Sequence, residues 1–204
     1  MKIIIIDYGM GNLGSILNML KYIGVQTQIS GSPEVICSAD KLILPGVGAF
    51  DNGISKLKES GIYEVINKKV LIDKTPVLGI CLGMQMMTSS SEEGVLPGLN
   101  WIDAKTIRFK QNGEKNFKIP HMGWNNVYTY KYDRIIEGLT DLTKFYFVHS
   151  YYVSCNNDLN SVCKTNYGVT FDSIIVKDNI YGCQFHPEKS HKFGMKFLNN
   201  FANL

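Results

Sequence analysis

The chain predicts an α/β fold of three layers: a mostly parallel central sheet with helices on both faces and an antiparallel or mixed β extension. Three observations carry that expectation. Up to Met87, short apolar runs alternate with segments of helical periodicity, the runs end in glycine-bearing turns, and from Leu99 onward strands of alternating character take over.

The first run, Lys2 to Asp7 (KIIIID), is a continuous β-branched stretch, the mark of a strand covered on both faces. The turn DYGMGN follows, loosened by Gly9 and Gly11. Asn12 stands at the N-cap position, and Leu13, Ile16, Leu17, Leu20 and Ile23 recur at helical spacing until Gly24 stops them. A dinucleotide site is rejected here, because GMGNLG lacks the strand-to-helix context of a secure fingerprint. Val25 to Ile29 and Lys41 to Leu44 are the next strands. The second of these runs into PGVGAF, where Gly46 and Gly48 lie just past a strand's carboxyl end, the place where open parallel sheets bind ligands. Such a loop can turn backbone N–H groups into a cleft, as an oxyanion hole requires. Taken alone, it reads better as an ordinary strand-to-helix turn.

Helices through Gly53, Ile54 and Leu57 and through Tyr63, Val65 and Ile66 precede Pro76 to Gln85, PVLGICLGMQ. A strand ending in a tight turn and passing at once into a helix is the elbow that carries a nucleophile in α/β hydrolytic enzymes. Cys81 is the candidate, with Gly79 and Gly83 where a Cβ would crowd a bent backbone, and with a helix starting at Leu82 whose positive end favours thiolate over thiol. The competing reading is a buried core cysteine, which is the commoner fate of a lone one. Met84, Met86 and Met87 read as core filler, and Gln85, one turn on, shares the cysteine's face of the helix.

Strands follow at Ile102 to Phe109, Asn125 to Tyr130, Phe145 to Tyr152, Ser161 to Thr165 and Ile174 to Lys177, with turn signals at Asn112-Gly113 and Asn179. No Pro-, Gly- or Ser-rich linker divides them, so a single domain over 1–204 is expected. Hydrophobic residues make up 45% and charged residues 19%, an ordinary globular balance. A net charge of +3 argues neither for nucleic acid nor for a membrane surface. No apolar run approaches the ~20 residues of a membrane span, and Met1-Lys2 leads straight into a strand, so a cytoplasmic location is expected. Cys37, Cys81, Cys155, Cys163 and Cys183 are odd in number and form no CxxC pair, which suggests neither a disulfide framework nor a zinc site. No metal or cofactor is expected.

The last strand, Ile180 to Phe185, passes directly into HPEKS. His186 and Glu188 thus sit at a strand end, as Cys81 does. Strand ends of a parallel sheet share one edge, so these groups can meet. Nucleophile, general base and orienting anion are the three parts of thiol-mediated acyl transfer.

DYGMGN, PGVGAF, GICLGMQ with SSEEG, PHMGWN, FVHSYY, and HPEKS with GMKFLNNF span nearly the whole chain. Together they resemble the class I (triad) glutamine amidotransferases, of flavodoxin-like fold, and among them the glutaminase subunits of imidazole glycerol phosphate synthases. The resemblance implies that Cys81 attacks the side-chain amide of L-glutamine, His186 carries the proton and Glu188 holds His186. It implies an oxyanion hole from N–H groups of Val47, Gly48 and Leu82, completed after the PGVG loop reorients. Gly46, Gln85, Glu93, His149, Ser150 and Tyr151 match positions that bind glutamine, with Glu93 facing the substrate ammonium. A heterodimer with a (β/α)8-barrel synthase or cyclase subunit is implied, fed by channelled ammonia. Asn12, His121, Met122, Trp124 and Lys189 fall on that interface, the HMGW stretch being expected as an apolar, aromatic loop. Thr88-Ser89 and Asp103-Ala104 depart from the family pattern. They leave open a paralogous glutaminase serving a sugar amidotransferase in surface-glycan biosynthesis. The readings of other classes are a stand-alone cysteine hydrolase and a non-catalytic binding subunit.

Overall fold

The computed structural model describes residues 1–111 and 117–204; the turn signal Asn112-Gly113 lies outside the described residues. In chain order the elements are β1 (Ile3–Ile6), α1 (Leu13–Tyr22), β2 (Thr27–Ser30), α2 (Pro33–Cys37), β3 (Lys41–Gly46), α3 (Phe50–Glu59), α4 (Tyr63–Asn67), β4 (Val77–Cys81) and α5 (Leu82–Met86). There follow β5 (Ser90–Ser91), β6 (Ala104–Arg108), β7 (His121–Asn126), β8 (Tyr128–Thr129), β9 (Lys144–His149), β10 (Tyr151–Cys155), β11 (Ser161–Tyr167), β12 (Val169–Lys177), β13 (Ile180–Cys183) and α6 (His191–Ala202).

The main sheet runs β2-β1-β3-β4-β13-β12-β10-β6-β5. Its first five strands are parallel, and β12 then reverses against β13 to begin the antiparallel extension. All four isoleucines of β1 are buried, because helices cover both faces. Ile4, Ile6, Leu42 and Leu44 pack towards α3, α4 and α5. Ile3, Ile5 and Ile43 pack towards Ile16 and Leu20 of α1 and Phe197 and Phe201 of α6. The two apolar layers thus take alternate residues of the same strands, and each fully buried isoleucine contributes roughly 1.5–3 kcal/mol.

Three features differ from expectation. A short helix, α2, fills the connection between β2 and β3, with the Ser32 side chain accepting from Val35 N–H and Pro33 and Glu34 in its first turn. Residues 121–124, expected as a loop, join Asn125 and Asn126 in strand β7, which among the described residues pairs only with β9, from His121 opposite His149 to Asn126 opposite Lys144, so the strand expected from Asn125 to Tyr130 is divided and β8 pairs instead with β11 of the main sheet. The run expected as one strand from Phe145 is broken at Ser150 into β9 and β10, which join different sheets. Among the described residues no helix is long and apolar enough to cross a membrane.

Candidate active site

No residue separates β4 from α5: Cys81 ends the strand and caps the helix, with φ 54° and ψ −109°. A non-glycine residue held at positive φ costs of order 1–3 kcal/mol and persists only where its surroundings enforce it. Here they do. A Cβ on Gly83 would overlap the Leu44 carbonyl oxygen, and one on Gly79 would lie 2.8 Å from Met84 N, so glycine on both sides lets α5 fold back onto β3 and β4. Gly46 permits the same approach, since its Cβ would stand 2.9 Å from Gly83 N and from the Tyr8 hydroxyl.

Parallel pairing fixes what surrounds the sulfur. Gly46 is opposite Cys81 on one side, which brings Val47 and Gly48 to the cysteine. On the other side Cys183 is opposite Ile80, so the chain leaving β13 passes Cys81 as Gln184, Phe185 and His186. His186 is pinned through its backbone: its N–H donates to the Tyr146 carbonyl at 2.9 Å, and the Ser190 hydroxyl donates to its carbonyl at 2.6 Å. Its Nδ1 lies 2.9 Å from Glu188 Oε1, with both side chains almost wholly buried. Burial opposes a charged imidazole, but the adjacent Cys81 sulfur and the Glu188 carboxylate outweigh it and lift His186 to about 10. With Nδ1 committed to Glu188, Nε2 is the nitrogen left to exchange a proton with Cys81.

A cleft of about 490 Å³ opens over this group. Cys81, Leu82 and His186 line it together with Val47 and Gly48 of the loop after β3 and with residues 148–151 at the β9–β10 junction. Gln85 and Glu93 also line it. Glu93 Oε2 accepts from the Phe50 N–H at 2.9 Å, the first turn of α3. Partial burial raises its carboxyl above the ordinary range, Asp51 adds to that, and the Phe50 bond opposes it. Glu92 points elsewhere, accepting from Arg108 N–H and pairing with Lys110 outside the cleft. Among the described residues, the N–H groups of Val47 and Gly48 have no acceptor, and Gly48 has φ +98°. The Tyr8 hydroxyl donates to the Pro45 carbonyl at 2.7 Å, holding the base of that loop.

Of the residues singled out in the sequence, Cys81, His186, Val47, Gly48, Leu82, Gln85, Glu93, His149, Ser150, Tyr151 and Lys189 therefore share one cleft, with Glu188 behind His186. Gly46 is not among the lining residues and packs against Gly83 and Tyr8. Met122 and Trp124 face outward from β7, and Asn12 is half-buried at the start of α1. His121 is a correction to the expected docking loop: the alternation of β7 turns it inward, it is 2% exposed, and it stacks between Phe147 and Tyr167. Sequence reasoning missed Pro120 and Val148, which line the cleft, and Gln184, whose Nε2 donates to Cys81 Sγ at 3.7 Å. The available signal for Gln184 was a lone amide in an otherwise apolar strand end, IYGCQF.

A strained cysteine sharing a cleft with a histidine–carboxylate pair, with unpaired N–H groups on the adjoining loop, has the parts that thiol-mediated acyl transfer requires. The chain belongs to the class-I glutamine amidotransferase family, whose model matches residues 4–203. It is 56% identical over 98% of each chain to imidazole glycerol phosphate synthase subunit HisH 2 of Methanococcus maripaludis. It is 48% identical over 99% of each to the subunit of the same name from Pseudomonas aeruginosa. Among solved structures, a glutamine amidotransferase of Thermotoga maritima superposes with a TM-score of 0.66 at 18% identity, covering 99% of this chain and 82% of that one. That likeness concerns the fold.

Proposed function

We propose that this chain is the glutaminase subunit of an imidazole glycerol phosphate synthase, hydrolysing L-glutamine and passing the ammonia to a (β/α)8-barrel cyclase subunit that makes imidazole glycerol phosphate and AICAR in histidine biosynthesis. The observation that carries the reading is the elbow cysteine Cys81 sharing a cleft with His186, itself 2.9 Å from Glu188. Cys81 Sγ attacks the side-chain carbonyl carbon of glutamine. The carbonyl oxygen becomes an oxyanion received by N–H groups of Leu82 and of the Val47–Gly48 loop, each such donor being worth ~3 kcal/mol or more. His186 delivers a proton to the departing nitrogen, ammonia leaves, and a thioester remains. Water, deprotonated by His186, then releases glutamate and restores the thiol. Glu93 supplies a carboxylate for the substrate ammonium, while Gln85 and the Ser150–Tyr151 wall enclose the amino-acid head.

Ammonia in water at neutral pH is mostly ammonium and a poor nucleophile, which favours a sealed path into a partner. The relatives' names support the synthase as that partner, and the free cysteines Cys37, Cys81, Cys155, Cys163 and Cys183 fit a reducing cytoplasm. The two departures from the family pattern meet away from the triad, where Ser89 N–H and hydroxyl both donate to the Ala104 carbonyl. The test is Cys81→Ala in the reconstituted complex. Glutamine-driven synthesis should vanish while synthesis from added ammonium salt continues. Glutamine turnover by the variant would sink the mechanism, and failure of the cyclase subunit to bind would redirect the ammonia to another synthase.

A further inference from the structure

Two buried histidines that the reaction above does not use are joined by a hydrogen-bond chain whose direction is fixed at both ends. Asn125 is the outer end. Its Oδ1 accepts from Asn126 N–H at 2.8 Å and its Nδ2 donates to the Asn166 carbonyl at 3.0 Å, so the amide has one orientation. The same Nδ2 lies 3.2 Å from His121 Nε2, and an amide nitrogen only donates, so that ring nitrogen is bare. His121 therefore carries its proton on Nδ1, 2.9 Å from His149 Nε2. His149 Nε2 must accept, which leaves its own proton on Nδ1, 2.7 Å from the Tyr151 carbonyl oxygen. A carbonyl is an acceptor only, so the tautomers agree along the chain.

The Tyr151 carbonyl also accepts from Gln85 Nε2 at 3.0 Å. That fixes the Gln85 amide, whose Nε2 donates in addition to Gln184 Oε1 at 3.2 Å. Gln184 must then turn its nitrogen to Cys81 Sγ, at 3.7 Å. An amide free to rotate would present its oxygen to the sulfur part of the time, which repels a thiolate. The His121 ring cannot turn without displacing its neighbours, since it stacks on Phe147 at 4.8 Å and on Tyr167 at 4.0 Å.

We propose that His121 and His149 are positioning residues: locked as neutral Nδ1–H tautomers, they hold the Tyr151 carbonyl, and through it Gln85 and Gln184, so that an N–H donor faces the Cys81 sulfur. The proposal rests on the glutaminase reading of the same site and deepens it. Both rings are neutral at physiological pH, because burial opposes their charge, aided for His149 by the neighbouring His121. The chain of bonds begins on β7, the strand that turns Met122 and Trp124 outward, so it also ties that outer face to the nucleophile.

Two measurements test it. In the full-length protein labelled with 15N-histidine, long-range proton–nitrogen correlation spectra near neutral pH should show both rings protonated on Nδ1 and bare on Nε2. An Nε2–H tautomer or an imidazolium at either position overturns the proposal. In the complex with the synthase subunit, His121→Phe keeps the ring stack and removes both nitrogens. Glutamine-dependent kcat should fall by about tenfold or more with little change in KM, while ammonia-driven synthesis is unchanged. His121→Asn, whose amide nitrogen falls near the former Nδ1, should restore most of the loss. Wild-type turnover in His121→Phe, or no gain from Phe to Asn, refutes the assignment. Failure of the glutaminase reading looks different, because then the wild-type complex itself leaves glutamine intact.

Discussion

At the scale of single residues, the four histidines divide the work by environment. His186 sits between a sulfur and a carboxylate and is raised to about 10, whereas His121 and His149 sit among aromatic rings and fall to about 4 and about 3. The consequences for stability have opposite signs. A histidine raised in the folded state stabilises fully below its unfolded value, about 6.5, and that stabilisation is lost as pH climbs through about 10. A histidine depressed in the folded state does the reverse, since acid charges it in the unfolded chain first and stability drains away as pH falls below about 6.5 towards 3 or 4. The urea midpoint should therefore peak near pH 6.5, about the unfolded histidine value, with Glu188→Gln flattening the alkaline limb and His121→Phe the acid limb. Midpoint curves that keep the wild-type shape in both variants would contradict these assignments. The fourth ring, His191, is at the surface, stacked on Trp124 at 5.5 Å.

At the scale of elements, the β4–α5 elbow depends on backbone approach rather than on side-chain contacts. Gly83→Ala would drive a methyl into the Leu44 carbonyl, which no rotamer change relieves, so a loss of about 3 kcal/mol is expected in urea unfolding. Gly14→Ala is the contrasting case. Gly14 lies in α1 with open space around it, and its replacement should add up to about 1 kcal/mol through helix propensity. Equal effects from the two would show that the close approach is not what demands glycine at the elbow. The elbow was legible because its glycines, cysteine and apolar run are contiguous, and the parallel strands because burial on both faces leaves an unbroken apolar run. The rest was hidden for definable reasons. α2 is too short for any periodicity to register, and only Ser32, Pro33 and Glu34 marked its start. β7 alternates His121, Gly123 and Asn125 inward against Met122 and Trp124 outward, a strand pattern written in residues that are not typical strand formers. The break at Ser150 and the contact of Gln184 with Cys81 arise from pairing between distant segments, which local sequence does not encode.

At the scale of the whole molecule, the two-stranded β7–β9 sheet presents an outer face with large apolar side chains in the open. Its inner residues, His121, Phe145, Phe147 and His149, are buried, whereas Met122 is 61% and Trp124 47% exposed beside the cleft that holds Cys81. Lys189, which lines that cleft, lies with its Nζ 5.7 Å from the Tyr146 ring, extending the same face. On the glutaminase reading proposed above, ammonia has to reach the acceptor before it is protonated, which places the partner over this rim rather than on the α1–α6 or α3–α4 layers. Trp124 is then the natural anchor, since large aromatic side chains dominate the binding energy of such surfaces. Truncating an anchor of this kind costs about 2 kcal/mol, so Trp124→Ala should weaken binding of the barrel subunit by about 30-fold in a calorimetric titration. Because the change removes contact area and leaves the cleft in place, glutamine-driven synthesis should return when the barrel subunit is raised above the new Kd. An affinity within about twofold of wild type would put the docking face elsewhere on the molecule, and activity that stays low at saturating partner would mean that Trp124 acts on the chemistry rather than on assembly.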